Sequence, residues 1–351
     1  MCRRTGWIYF AVCVCAFWSL ISCTSALPGT GGQSEFPPTS TTPQVVSNEQ
    51  SQTQVLTEIP LPTAAPDLKE INQLFPFLFP TQTATATAVP TLIPLPSATP
   101  KRCATPGQMV TGAIDSTNPY AGSIAYRVYL PPCYGADGRF YPTLYMLPGN
   151  IHTDAIWDEL GMDETAEAAI LNNTMPPFII VMVSGGWLAD NTSGGVGSYE
   201  QFFMEELIPA IEKAYCAWPD RSGRALGGMS RGGYWALELA FQYPDQFGSV
   251  GGHSASLYDF YAGPEINPQF TGVNNALGDL RIYFDIGEND GYMPNIRRLH
   301  EEMSAAGVAH EWVVNAGYHE DAYWRAHTPE YLAWYTAPWS RDRNTYPLCE
   351  Q

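Results

Sequence analysis

Gly228-Met229-Ser230-Arg231-Gly232 sets one serine between two glycines. The pattern is common by chance, but here it follows the apolar pair Ala225-Leu226 and opens a helix-like run, Gly232-Gly-Tyr-Trp-Ala-Leu237. Strand, sharp turn and helix in that order hold a serine in a strained backbone conformation, where a Cβ on either flanking residue would collide. The first turn of the helix aims amides and positive dipole at negative charge developing beside the serine. The chemistry this favours is attack by Ser230 on a carbonyl carbon. The bland alternative is a glycine-rich turn holding an incidental serine.

A serine hydroxyl is a weak nucleophile at neutral pH and needs an imidazole in reach, itself held by a carboxylate. In a strand-turn-helix setting the chain order is Ser, then Asp or Glu, then His. Of the six histidines, His300, His310, His319 and His327 lie well downstream of Ser230. His300 falls inside a helical pattern and His310 at a strand start. His319 ends the loop Asn315-Ala-Gly-Tyr-His319, from which a side chain can reach a sheet edge, so it is the candidate base. His327, deeper in the next helix, is the rival. For the acid, Gly287-Glu-Asn-Asp-Gly291 follows a strand-like run, and Asp290 is chosen, with Glu288 as the alternative and Asp285 as a structural residue of the strand. A calcium-loop reading of this turn fails, because with Asp285 as first ligand Asp290 stands where the loop requires glycine. No other metal-ligand cluster is apparent, and no cofactor is called for. The oxyanion needs two backbone amides, and those of Arg231 and of Asn150, at the end of Leu144-Tyr-Met-Leu-Pro-Gly-Asn150, are the natural pair. The chemistry asks nothing of their side chains.

These residues need a sheet whose strand ends bring them together. From about Arg102 onward, short β-branched and aromatic runs alternate with helical periodicity, the signature of a parallel sheet covered by helices and hence an α/β domain over 102–351. Strands are predicted at Met109 to Ile114, Ile124 to Leu130, Thr143 to Leu147, Phe178 to Ser184, Arg224 to Gly228, Ser249 to His253, Leu280 to Ile286 and His310 to Val314. Fully apolar Ile179-Ile-Val-Met-Val183 suits an interior strand buried on both faces. Helices fit Glu164 to Leu171, Tyr199 to Tyr215, Gly233 to Tyr243, Pro294 to Ala306 and Asp321 to Tyr335. In the second, Phe202, Phe203, Leu207, Ile208 and Ile211 recur at helical spacing, which is core packing. The first two strands read as a hairpin centred near residue 118, which sets Cys103 opposite Cys133 and predicts that disulfide. Cys216 with Cys349 then follows by exclusion. Zinc is the rival use of these four cysteines, but none are spaced as a C-x-x-C knuckle.

With 45% hydrophobic and 13% aromatic residues, the 351-residue chain can fill a sizeable core. Seventeen Lys and Arg against 35 Asp and Glu leave a net charge of -18, which repels polyanions and argues against a nucleic-acid partner. Arg3 and Arg4 precede a short apolar run that ends in Leu20-Ile-Ser-Cys23. The run is short for a membrane span and reads as an export signal over 1–22. Its end resembles a bacterial lipobox, with Cys23 as the lipidated first residue; an ordinary signal peptide cut near Ala26 and an uncleaved anchor are the alternatives. The expected location is extracellular, with membrane contact through the lipid alone. Residues 23–101 are rich in Ser, Thr and Pro and should form a disordered tether. Leu68 to Phe79 interrupts it and could form a short docking helix.

Together, Val128-Tyr-Leu-Pro-Pro132, Tyr141-Pro-Thr-Leu-Tyr-Met-Leu-Pro-Gly149, Glu205-Glu-Leu-Ile-Pro209, Gly227-Gly-Met-Ser-Arg-Gly-Gly233, Gly287-Glu-Asn-Asp290 and Gly317-Tyr-His-Glu-Asp-Ala-Tyr-Trp324 resemble the esterase D branch of the α/β-hydrolases. That branch includes S-formylglutathione hydrolases, feruloyl esterases, enterochelin esterases and mycolyltransferases. The resemblance covers about residues 105 to 340 and implies an α/β-hydrolase fold with Ser230, Asp290 and His319 as nucleophile, acid and base. Many members have His-Gly where this chain has Pro148-Gly149, a departure in the oxyanion loop. The Gly185 to Gly195 stretch is expected to overhang the site, with Trp187, and also Trp324, as substrate contacts; plain packing is the alternative for Trp187. The expected activity is hydrolysis of a small-molecule or polysaccharide-linked carboxylic ester. Acyl transfer to a sugar or lipid alcohol, or a non-catalytic binding module on the same fold, are the other readings.

Overall fold

The structure is a computed structural model that describes residues 104–349. The segments expected as an export signal and a tether, with Cys23 and the Leu68 to Phe79 stretch, and Cys103 lie outside the described residues. Eight strands form one sheet: β1 Gln108–Asp115, β2 Ser123–Leu130, β3 Thr143–Leu147, β4 Ile179–Val183, β5 Arg224–Met229, β6 Ser249–His253, β7 Arg281–Gly287 and β8 Glu311–Asn315. Their order is β1-β2-β4-β3-β5-β6-β7-β8. The β1/β2 and β2/β4 pairs are antiparallel and the rest parallel.

Every residue of β3, β4, β5 and β6 is buried, as a strand covered on both faces requires. Alternate residues feed two separate cores: Ile179, Val181 and Val183 face one, Ile180 and Met182 the other. Each such side chain contributes about 1.5–3 kcal/mol by leaving water. The helices are α1 Ile156–Glu159, α2 Met162–Leu171, α3 Gly186–Asn191, α4, α5 Arg231–Gln242, α6 Pro268–Asn274, α7 Met293–Ala305 and α8 Asp321–Thr336. Here α4 comprises Tyr199–Gln201, Phe202–Leu207 and Ile208–Ala214 in succession. Residues of α4, α5 and α7 fill the first core; α2 and α8 supply the second. No helix among the described residues is long and apolar enough to cross a membrane.

Three expectations are corrected. The run expected as one α-helix from Tyr199 to Tyr215 widens into a π-helical segment at Phe202–Leu207. Pro209 follows at once and has no N–H to offer the ordinary i to i−4 bond, and the Ile208 amide instead reaches the Phe203 carbonyl. The hairpin is symmetric about Pro119 rather than residue 118, which shifts its register by two. Pro119 is the first corner of a turn in which the Ala121 amide donates to the Asn118 carbonyl (3.1 Å), and the Cys133 amide accordingly donates to the Thr105 carbonyl (3.3 Å). Finally, α3 lies within the Gly185 to Gly195 stretch, where the sequence predicts no helix. Cys216 and Cys349 are disulfide-bonded. Cys133 is disulfide-bonded too, and its expected partner lies outside the described residues.

Candidate active site

Ser230 stands between β5 and α5 with φ 54° and ψ −119°, a conformation that costs a non-glycine residue about 1–3 kcal/mol. Three backbone bonds hold it there. Its amide donates to the His253 carbonyl (2.9 Å), and its carbonyl accepts from the amides of Tyr234 (3.1 Å) and Ser256 (2.9 Å). The flanking glycines permit the approach: a Cβ on Gly228 would come 2.4 Å from the Gly232 carbonyl oxygen, and one on Gly232 would come 2.4 Å from that of Pro148. The serine therefore projects at the C-terminal edge of the sheet, where the loops after β3, β6, β7 and β8 also gather.

His319 reaches this point from the loop after β8. Its Nε2 lies 2.9 Å from Ser230 Oγ and its Nδ1 lies 2.8 Å from Asp290 Oδ2. A carboxylate only accepts, so Nδ1 carries the proton and Nε2 accepts from the serine hydroxyl. The Asp290 side chain is fully buried, and its other oxygen accepts from the Tyr292 amide (2.8 Å). Two further bonds tie the acid and base loops together: the Glu288 amide to the Asn315 carbonyl (2.7 Å) and the Asn289 amide to the Gly317 carbonyl (3.0 Å). The His319 ring is held between Tyr292, with centroids 4.7 Å apart, and Trp324, at 5.0 Å and nearly perpendicular. Burial raises the Tyr292 phenol, which stays neutral beside the imidazole.

The rival residues are elsewhere. The Glu288 carboxylate accepts from the Asn289 side chain, and His327 pairs with Glu330 on α8. His300 stacks on Trp312 and meets His310 at 2.8 Å. Asp285 is fully buried under the strand ends, bonded by His253 (2.6 Å), Tyr323 (2.8 Å) and Tyr331 (2.7 Å), which is the structural place expected of it.

Around Ser230 opens a cleft of about 590 Å³ lined by Asn150, Ile151, His152, Ser256, Tyr261, Tyr292 and Trp324 among others. The Gly149 carbonyl accepts from the His152 amide (3.0 Å), and a Cβ on Gly149 would come 3.4 Å from Ser230 Cβ, so this turn carries Asn150 beside the nucleophile. Arg231 begins α5, where an amide has no intrahelical acceptor. Its side chain, which the chemistry does not ask for, is a buried clamp. The guanidinium donates to the carbonyls of Ala189 (3.1 Å) and Thr192 (2.5 Å) and to Ser193 Oγ (3.0 Å), and it lies 4.1 Å over the Tyr261 ring. That clamp fixes α3, and Trp187 is consequently not among the cleft residues; it stands half-exposed against Tyr120, with centroids 5.6 Å apart. Trp324 does line the cleft. Sequence reasoning passed over His152, Ser256, Tyr261 and Tyr292, although each lies in a loop that follows a parallel strand, which is where open α/β sheets bind ligands. Among the described residues, no group of three or more His, Cys, Asp or Glu is placed to hold a metal ion.

Residues 118–335 match the family described as "Putative esterase". The chain belongs to this esterase family. It is 36% identical over 136 residues to Esterase Rv1288 of Mycobacterium tuberculosis, covering 36% of this chain and 28% of that protein. It is 30% identical over 213 residues to an endo-1,4-beta-xylanase/feruloyl esterase of Xylanibacter ruminicola, covering 57% of this chain and 27% of that one. The chain thus spans little more than a quarter of the length of these relatives. Among solved structures it is similar to a ferulic acid esterase, with TM-score 0.60 and 24% identity over 67% of this chain and 100% of the other. This likeness and the strand order establish the α/β-hydrolase fold, and the feruloyl esterase relatives agree with the esterase D resemblance.

Proposed function

We propose that the esterase hydrolyses carboxylic esters through an acyl-serine intermediate. The observation that carries this reading is the unbroken chain of contacts from Asp290 through His319 to Ser230 Oγ. As Oγ bonds to the ester carbonyl carbon, its proton passes to His319 Nε2, and buried Asp290 steadies the imidazolium. Negative charge moves to the former carbonyl oxygen, which the amides of Asn150 and Arg231 receive. Collapse breaks the bond to the alcohol oxygen, which leaves with the proton from His319. A water molecule, deprotonated by the same nitrogen, then attacks the acyl carbon; the bond to Oγ breaks, Oγ regains the proton from His319, and the carboxylic acid leaves.

The relatives named for feruloyl ester cleavage support an ester of a small molecule or a polysaccharide as substrate. The Leu20-Ile-Ser-Cys23 sequence supports an exported chain held to the membrane through lipid on Cys23. The test is a panel of soluble esters offered to the wild type and to Ser230→Ala. The variant should be slower by about 10³-fold or more, since the triad acts as a unit; equal rates would refute the reading.

A further inference from the structure

His152 was passed over in the sequence, yet its ring joins the two loops on which the proposed chemistry depends. Its Nε2 lies 3.3 Å from Asp321 Oδ1, and Asp321 is only two residues beyond His319. Its Nδ1 is buried without a hydrogen-bond partner beside the turn: a Cβ on Gly149 would come 3.1 Å from Nδ1 and 3.4 Å from Ser230 Cβ. The His152 ring and the nucleophile therefore both lie close against Gly149. The ring also meets Trp324 edge-on at 6.3 Å, and Trp324 meets His319 edge-on at 5.0 Å. Nε2 and Asp321 Oδ1 thus face each other at ion-pair distance, a polar contact between the two loops rather than a hydrogen bond.

We infer that His152 is a positioning residue, which braces the turn carrying the Asn150 amide and ties it through Asp321 to the segment carrying His319. The inference rests on the proposed acyl-serine chemistry. An oxyanion donor acts on the transition state more than on bound substrate, so its displacement lowers kcat and leaves KM nearly unchanged. A misplacement of about 1 Å is enough for a loss on the order of 100-fold.

The test measures kcat, KM and thermal midpoint for the wild type, His152→Ala, His152→Gln, Asp321→Ala and the double variant His152→Ala/Asp321→Ala. The Gln amide nitrogen can take the place of Nε2 and keep a polar group facing Asp321. The expected result for His152→Ala is a fall in kcat of about 10- to 100-fold with KM within about twofold, most of it restored in His152→Gln. Asp321→Ala should lose a similar amount, and the double variant no more than the larger single loss, since the two residues form one strut. A folded His152→Ala with wild-type kcat overturns the inference, as does a loss in KM alone or full additivity in the double variant. If His152→Ala does not fold, His152→Gln decides: near wild-type kcat supports the strut, and a kcat as low as that of Asp321→Ala overturns it. A wild type inert to every ester overturns the proposed chemistry and this inference with it, whereas an active wild type with an indifferent His152 overturns this inference alone.

Discussion

The Ser230 amide donates to the His253 carbonyl across 2.9 Å, so the nucleophile hangs from the end of the neighbouring strand β6. The His253 ring is in turn fixed from both sides, by Asp285 at 2.6 Å and by the Tyr335 hydroxyl at 2.9 Å. Two carboxylate–imidazole pairs thus lie near one serine. Asp290–His319 touches its hydroxyl, and Asp285–His253 holds its backbone.

These pairs should fail in different ways. Asp285→Ala leaves the His253 Nδ1 and the hydroxyls of Tyr323 and Tyr331 buried without their acceptor. A loss of roughly 3–5 kcal/mol is expected, read by urea unfolding. Burial holds both phenols above their ordinary range, so they remain donors and cannot escape the penalty by ionising. An undiminished unfolding midpoint would falsify the structural role.

Asp290→Asn should instead spare stability and remove activity. The amide offers His319 Nδ1 a donor as readily as an acceptor, which favours the wrong tautomer, and kcat should drop roughly 10³- to 10⁴-fold. Steady-state kinetics beside a melting curve separate this from Asp285→Ala.

Glu238 on α5 is fully buried, with its carboxyl group against that of Glu200. Burial first, then Glu200, raises its pKa well above the ordinary 4.5, against the lowering effect of Arg231. Here the native state keeps a proton that the unfolded chain has lost, so stability must fall as pH rises from near 4.5 through the native value. Glu238→Gln removes that slope. It should be more stable than the wild type at pH 8, by a margin that shrinks toward pH 4.5; a margin that grows on acidification contradicts the sign.

The Cys216–Cys349 bridge closes a loop with a sequence separation of 133. Cys349→Ser should cost about 2–5 kcal/mol in the chain-entropy view. Equilibrium unfolding of wild type and variant under oxidising conditions checks it, and coincident curves would show that the tail is held without the bridge.

Much of this arrangement is legible in sequence because its causes are local. Ile179 to Val183 is apolar on both faces and can only be an interior strand. Gly228 and Gly232 announce a turn that no Cβ could share, and the Asn315 to His319 loop follows a strand whose end must lie near it. One miss is local and the others have tertiary causes. A two-residue slip in the hairpin follows from where Pro119 puts the corner. The Gly185-Gly186 pair hides a helix that exists because Arg231, distant in sequence, binds its last carbonyls. His152 looks like any loop histidine until Asp321 and Trp324 are brought to it.

The proposed reaction forms a covalent bond at one oxygen, Ser230 Oγ. Wild-type protein mixed with a p-nitrophenyl ester, quenched in acid within milliseconds and digested for mass spectrometry, should carry the acyl mass on the peptide containing Ser230 and on no other. Rapid turnover with that peptide unmodified at every quench time, together with undiminished turnover in Ser230→Ala, would exclude an acyl-serine intermediate.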